Sequence, residues 1–193
     1  MGFKIAILIS GRGSNMKNII EACKNKKLCS SVNLVVSNKS NACGLKVASK
    51  YKVETHILDS KNLTTENFES LLDKVLKKNN INLICLAGFM KILSKDFVQK
   101  WPKMILNIHP SILPYFKGLN AQKQAIESNA KYSGCTVHFV NEAMDGGEII
   151  DQKIVDISTH DDVYSLSKKI LMEEHKLYIK VLKNLEKNYG KNK

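Results

Sequence analysis

Arginine is almost absent from this chain. Of 30 basic residues set against 18 acidic ones, only Arg12 carries a guanidinium, and the rest are lysines. Lysine lacks the planar fork that reads guanine edges or clamps a phosphate through two bonds, so the formal charge of +12 does not by itself describe a sequence-reading nucleic-acid binder. The lysines fall mainly on expected helices and in the tail, as in Lys24, Lys26 and Lys27, Lys74, Lys77 and Lys78, and Lys187, Lys191 and Lys193. They read as solvated faces that also attract small anions. A nucleic-acid surface is the competing reading, and its mark would be an affinity that falls steeply with salt.

Long apolar runs are missing too. The segment from Ile5 to Ile9 is too short for a signal peptide, and no later stretch is long enough to span a bilayer, so a soluble cytoplasmic protein without a membrane partner is expected. Gly2 opens a sequence loosely like an acylation signal, but position 6 is Ala6 where a hydroxyl residue is wanted. Paired cysteines are absent: Cys23, Cys29, Cys43, Cys85 and Cys135 make an odd set without close spacing, which fits neither a disulfide framework nor a zinc site. Cys85 and Cys135 lie in apolar strands and read as core fillers.

What is present is alternation of strand and helix. A strand at 4–9 breaks at Ser10-Gly11-Arg12-Gly13-Ser14-Asn15, and Met16, Ile19, Ile20 and Cys23 follow at helical spacing. Strands are expected at 32–37, 53–58, 81–87 and 104–109, with helices at 41–51 and 65–78. The 81–87 run is apolar throughout, as burial on both faces of a parallel sheet requires. Segments 136–140 and 148–157 are joined by too few residues for a crossover helix, so they pair antiparallel, and a helix from 161 to 189 closes the chain. The expectation is one α/β domain over residues 1–193. It is a doubly wound, Rossmann-like, mostly parallel sheet with an antiparallel strand near the C-terminal edge.

Three features carry chemistry. Pro110 stops the strand ending at His109, and strand alternation puts Asn107 and His109 on one face. Strand ends of such sheets bind ligands, and an amide beside an imidazole can meet a developing oxyanion and a proton. A capping Asn with a backbone-satisfied His fits the same residues. The Gly-rich loop lacks the Walker signature and the third glycine of a dinucleotide fingerprint, Met16 standing there. Ser37-Asn38-Lys39 stands where an acidic residue would hold a ribose. A monophosphate held by free backbone amides and Ser14 fits, as does a plain tight turn with an Asn cap. Asp145-Gly146-Gly147 can turn tightly enough to aim a carboxylate into a cleft, where it would favour a charged His109, or can be a surface turn.

Five segments taken together resemble the phosphoribosylglycinamide formyltransferase family: Ile-Ser-Gly-Arg-Gly-Ser-Asn at 9–15, Leu-Ala-Gly-Phe-Met-Lys-Ile-Leu at 86–93, Asn-Ile-His-Pro-Ser-Ile-Leu-Pro at 107–114, Thr-Val-His-Phe-Val at 136–140 and Met-Asp-Gly-Gly at 144–147. The resemblance covers essentially the whole chain. It implies transfer of a formyl group from 10-formyltetrahydrofolate to the glycine amine of glycinamide ribonucleotide, in purine synthesis, without a metal. It also implies a catalytic trio of Asn107, His109 and Asp145, and a phosphate loop of Gly13, Ser14 and Asn15. Met90, Lys91, Ile92 and Leu93 would line the folate pocket together with Asn107. Val140, Asn141 and Met144 would form its other wall, and Glu174 would meet the glycinamide end of the substrate. Glu173 points about a third of a turn away from it.

The chain departs from the family pattern in places. Thr65 stands where relatives often carry an arginine near the folate tail, which removes a side-chain salt bridge there, and Lys91 replaces another arginine. Asn120 and Gln122 stand where some relatives have histidines, and His138 reads as structural. A methionyl-tRNA formyltransferase would need a further C-terminal domain, and a formyltetrahydrofolate hydrolase a regulatory domain ahead of the catalytic one, whereas the catalytic-type segment here is expected to begin at Met1. Partners are expected to be small molecules, not nucleic acid, and the state a monomer or weak homodimer.

Overall fold

The computed structural model describes residues 2–61 and 63–189; Met1, Lys191 and Lys193, named above, lie outside them. Seven strands form one sheet: β1 (Lys4–Ile9), β2 (Ser31–Ser37), β3 (Glu54–Ile57), β4 (Leu83–Leu86), β5 (Ile105–His109), β6 (Tyr132–Phe139) and β7 (Ile149–Asp156). Their order across the sheet is β3-β2-β1-β4-β5-β6-β7. The pairs from β3 through to β5 are parallel, and β6 is antiparallel to both β5 and β7, so one strand is reversed next to the C-terminal edge. The expected mixed, doubly wound sheet is what the chain forms.

The central strands are buried on both faces. In β1 the side chains of Ile5, Ile7 and Ile9 enter one core while Ala6 and Leu8 enter the other, and β4 divides Leu83 and Cys85 from Ile84 and Leu86 in the same way. Helices α1 (Ser14–Lys24), α2 (Cys43–Lys50), α5 (Ala121–Glu127) and α6 (Val163–Tyr189) serve the first core, and α3 (Thr65–Lys78) and α4 (Lys95–Lys100) cover the second. Cys85 and Cys135 are fully buried fillers whose thiols burial pushes up to about 12, which removes them from nucleophilic chemistry.

Several boundaries differ from the expected ones. The reversed strand begins at Tyr132, not at residue 136, because Gly134 at φ 154 lets the exposed start of the strand stay in register with Ile154. The closing helix begins at Val163 and is capped by Asp162, whose carboxylate accepts from the Ser165 amide while Ser165 Oγ accepts from the Asp162 amide. Helix α4 was not expected from periodicity, since six residues hold too few turns to show one; its signal is Ser94, a cap that accepts from the Phe97 amide at 3.2 Å.

Helix α6 is fastened to the sheet by polar side chains as well as by packing. Glu186 accepts from the amides of Cys29 and Ser30 at 3.0 and 2.7 Å. The fully buried Tyr178 hydroxyl lies 3.1 Å from the carbonyl of Leu86 and 3.3 Å from that of Leu106, sharing one hydrogen between the end of β4 and the start of β5. Tyr178→Phe leaves both carbonyls without this donor in a dry core, so it should destabilise the fold by about 1–3 kcal/mol in denaturant unfolding. An unchanged midpoint would contradict this account of the tie.

Candidate active site

The strand order reverses at β1, whose neighbours are β2 and β4, and the segments that leave the carboxyl ends of β1, β4 and β5 are the ones singled out in the sequence. Each end is shaped by a local break. After β1, Gly13 takes φ 74, and a Cβ there would meet the Met16 side chain at 2.9 Å and the Gly44 backbone at 3.0 Å. Gly13 is the N-terminal boundary of α1 and supplies no side-chain cap, and the first backbone bond runs from Lys17 N to Gly13 O. The amides of Ser14, Asn15 and Met16 therefore point out of the helix start without an intrahelical partner, as an anion-binding terminus needs. The Asn cap allowed by the sequence is not formed.

Asn15 turns inward instead. Its Nδ2 donates to Glu174 Oε2 at 2.8 Å, tying the loop to α6, while its buried Oδ1 has no partner among the described residues. Glu174 is 7% exposed, and burial pushes its carboxyl up to about 7 against the opposing Asn15 hydrogen bond. Glu173 lies on the next face and pairs with Lys176 at 2.7 Å, so the two neighbouring carboxylates are separated as helical geometry requires.

After β5 the side chains of Asn107 and His109 meet Asp145. The Asp145 turn is enforced by backbone: Asp145 has φ 48, and a Cβ on Gly147 would come within 1.7 Å of the Phe139 carbonyl oxygen, a contact no other residue survives. Asp145 Oδ2 accepts from the Gly118 amide at 2.9 Å and lies 3.4 Å from His109 Nδ1; its Oδ1 lies 3.5 Å from Asn107 Nδ2. His109 Nε2 faces the Phe116 carbonyl at 2.8 Å. One ring nitrogen thus faces a carbonyl and the other a carboxylate, an environment that two N–H donors satisfy. His109 is 5% exposed, so the pair is screened from bulk water.

His138 stands opposite Asn107 across the β5–β6 pair. Its Nδ1 faces the Phe139 carbonyl at 2.8 Å and must carry the hydrogen, which leaves Nε2 to accept from Asn107 Nδ2 at 3.2 Å. Burial holds its pKa below the ordinary imidazole value. A neutral His138 therefore orients the Asn107 amide, as a structural histidine does.

Met90, Lys91, Ile92 and Leu93 follow β4 as an irregular strip. Met90 and Ile92 are 62% and 66% exposed, and Leu93 is buried. Lys91 Nζ lies 3.2 Å from Thr65 Oγ1 and over the Phe68 ring, which places Thr65 and Lys91 together at the edge of this strip. Val140, Asn141 and Met144 belong to the segment that carries Asp145; Asn141 shapes it by accepting from the Ala143 amide and donating to the Gly146 carbonyl. Asn120 begins α5 at φ 58, and Gln122 lies in its first turn.

The sequence reading did not single out the Phe116 carbonyl, the Gly118 amide, Ser10 or Asn38. Ser10 Oγ accepts from the Met90 amide at 2.7 Å and donates to Asn38 Oδ1 at 2.6 Å. The first two are backbone groups on a loop, which leave no residue-type signature.

A family model described as formyl transferase matches residues 3–182. The chain belongs to the formyl transferase family. Within that family it is 39% identical to the phosphoribosylglycinamide formyltransferase of Haemophilus influenzae over 181 residues, covering 93% of this chain and 85% of that protein. The glycinamide ribonucleotide transformylase 1 structure from Symbiobacterium toebii superposes with a TM-score of 0.94 at 36% identity, covering 97% of this chain and 89% of that one. The trifunctional purine biosynthetic protein adenosine-3 of Chironomus tentans is 45% identical over 189 residues, and there the formyl transferase match spans 96% of this chain but only 14% of the relative. The resemblance read from the five segments is borne out.

The buried Glu174 gives the site a pH signature. Burial raises its folded pKa from 4.5 to about 7, so between those values the unfolded chain releases a proton that the folded chain keeps. The unfolded state then binds fewer protons, and stability falls as pH rises through the window, by roughly 3 kcal/mol at about 1.4 kcal/mol per pKa unit. Glu174→Gln removes this titration. Its stability relative to the wild type should rise by about that amount between pH 5 and pH 8, and an equal difference at both pH values would contradict the assignment.

Proposed function

We propose that this chain transfers the formyl group of 10-formyltetrahydrofolate to the glycine amine of glycinamide ribonucleotide, a step of purine synthesis, with residues 1–193 acting as one catalytic domain. The observation that carries the reading is the meeting of Asn107, His109 and Asp145 at β5, whose neighbouring parallel strands β4 and β1 lead into the strip Met90–Ile92 and the helix start at Gly13–Asn15. A formyl donor with a flat heteroaromatic ring fits a strip where Met90 and Ile92 face solvent and where Lys91, Ile92 and Leu93 make no backbone–backbone hydrogen bond among the described residues. A phosphate fits the amides of Ser14, Asn15 and Met16.

On this reading Gly13, Ser14 and Asn15 hold the phosphate, and Glu174 meets the glycinamide end. The buried, unpartnered Asn15 Oδ1 offers an acceptor in the same region. Met90, Lys91, Ile92 and Leu93, with Val140, Asn141 and Met144, enclose the folate ring, while Thr65 and Lys91 sit toward its tail. The amine nitrogen attacks the formyl carbon, forming the new C–N bond and turning the carbonyl into an oxyanion. Asn107 Nδ2 and His109 Nε2 donate to that oxygen, the first after releasing its long contact to Asp145 Oδ1 and the second after exchanging its Phe116 carbonyl partner for the substrate. Asp145 balances the imidazolium and takes up the proton lost by the attacking nitrogen. Collapse of the oxyanion breaks the bond to the folate nitrogen, which leaves with a proton relayed through the Asp145 side.

These charge changes lie within the reach of an amide, an imidazolium and a carboxylate, so the reading needs no metal. It takes the protein to be cytoplasmic, a monomer or weak homodimer, with small molecules and neither nucleic acid nor membrane as partners. Among the described residues no helix is long and apolar enough to cross a membrane.

Purified protein given 10-formyltetrahydrofolate should release the deformylated folate only when glycinamide ribonucleotide is present. Equal release without it would favour hydrolysis, and no release from folded protein would refute the reading. His109→Ala and Asp145→Asn should each lower turnover by about 10²–10⁴-fold per folded enzyme, with circular dichroism showing that the assayed protein is folded. Near-normal turnover in either variant would remove that residue from the mechanism.

A further inference from the structure

Glu69 is a buried carboxylate, 7% exposed, with no part in the chemistry described so far. It lies on α3, and both of its oxygens are used by one residue. Oε1 accepts from the Ser94 amide at 2.6 Å, and Oε2 accepts from the Ser94 hydroxyl. The Ser94 hydroxyl in turn caps α4 by accepting from the Phe97 amide.

Ser94 directly follows the strip Met90–Leu93, and the other end of the strip is held in the same manner. There the Ser10 hydroxyl accepts from the Met90 amide and donates to Asn38. Between the two anchors, Lys91, Ile92 and Leu93 make no backbone–backbone hydrogen bond among the described residues. Leu93 alone is buried, while Met90 and Ile92 stand in solvent. A strip with so little internal structure keeps its shape through its ends. One end hangs on the β1–β2 termini and the other on Glu69. Two hydrogen bonds donated by Ser94 to one buried carboxylate make the stiffer anchor of the two.

We propose that Glu69 is a positioning residue for the formyl donor: by clamping Ser94 it sets the path of Met90–Leu93 and so the affinity of the site for the folate ring, without touching the reacting atoms. The proposal rests on the function inferred above, in which this strip lines the folate pocket. It separates Glu69 from a residue that merely holds α4 in place. Loss of a purely structural contact lowers the folded fraction and leaves both Michaelis constants of the folded enzyme unchanged. Loss of the clamp raises the constant for the folate alone, since the phosphate loop and Glu174 lie on the other core face, around α1 and α6.

The test is steady-state kinetics of Glu69→Ala, Glu69→Gln and Ser94→Ala in both substrates, with unfolding curves to count folded enzyme. Glu69→Ala, which loses both hydrogen bonds to Ser94, should raise KM for 10-formyltetrahydrofolate by about tenfold or more, with KM for glycinamide ribonucleotide within about twofold of the wild type. Glu69→Gln keeps an acceptor for the Ser94 amide and can donate to its hydroxyl, so it should restore folate KM to within about threefold. Ser94→Ala keeps the amide contact to Glu69 but loses the hydroxyl contact and the α4 cap, so its folate KM should fall between these once the folded fraction is counted. If Glu69→Ala does not fold, the other two variants carry the same comparison. An unchanged folate KM, or a parallel rise in both constants, overturns the proposal. A wild-type enzyme without ribonucleotide-dependent turnover would instead refute the function on which it rests.

Discussion

The site depends on where one carboxylate is held. Asp145 is positioned by a turn that its sequence neighbours make unavoidable: the Asp145 backbone is left-handed, and Gly147 packs so closely on the Phe139 carbonyl that no side chain fits. From there the carboxylate receives the Gly118 amide and faces both His109 and Asn107. Moving it by an ångström would leave a buried imidazole without its counter-charge and the Gly118 amide without an acceptor. The lone reversed strand β6 matters for this reason. It runs back along β5, so its end at Phe139 lies beside Leu106 near the amino end of β5, and the 140–147 turn that follows folds back to bring Asp145 to Asn107 and His109.

The second constraint is the sheet itself. Burial of β1, β4 and β5 on both faces fixes the alternation of their side chains, so only the strand ends are free to carry polar groups toward a common crevice. Three such ends contribute a helix start, an apolar strip and an Asn–His pair. Each is then tied across the sheet by side chains from distant segments. Tyr178 bridges the last carbonyl of β4 and the Leu106 carbonyl near the start of β5, Glu174 takes the Asn15 amide, and Ser10 links Met90 to Asn38. The long helix α6 supplies two of these three ties, so it belongs to the site as much as to the core.

Most of this architecture was readable in the sequence because it rests on local patterns. The apolar runs of β1 and β4, the Pro110 stop after His109 and the short link between β6 and β7 each encode their outcome within a few residues. The sharing of a face by Asn107 and His109 followed from strand alternation alone. The approach of Asp145 to that pair had no local mark, since a Gly-Gly turn is as suited to a surface as to a cleft, and only the family resemblance pointed inward. Helix α4 escaped because six residues show no period, and the start of β6 because Lys131 to Gly134 carry no apolar alternation. The inward turn of Asn15 and the clamp of Ser94 by Glu69 were hidden for a different reason. They join residues far apart in the chain, and a buried Asn or Glu looks in sequence like an exposed one.

The central claim is that this buried Asn–His–Asp arrangement passes a one-carbon unit from a folate nitrogen to an amine. Following the carbon tests it most directly. With 10-formyltetrahydrofolate labelled at the formyl carbon and glycinamide ribonucleotide as acceptor, the label should appear on the glycine nitrogen of the ribonucleotide, one equivalent for each folate released. Label recovered as formate while the ribonucleotide stays unformylated would contradict the account.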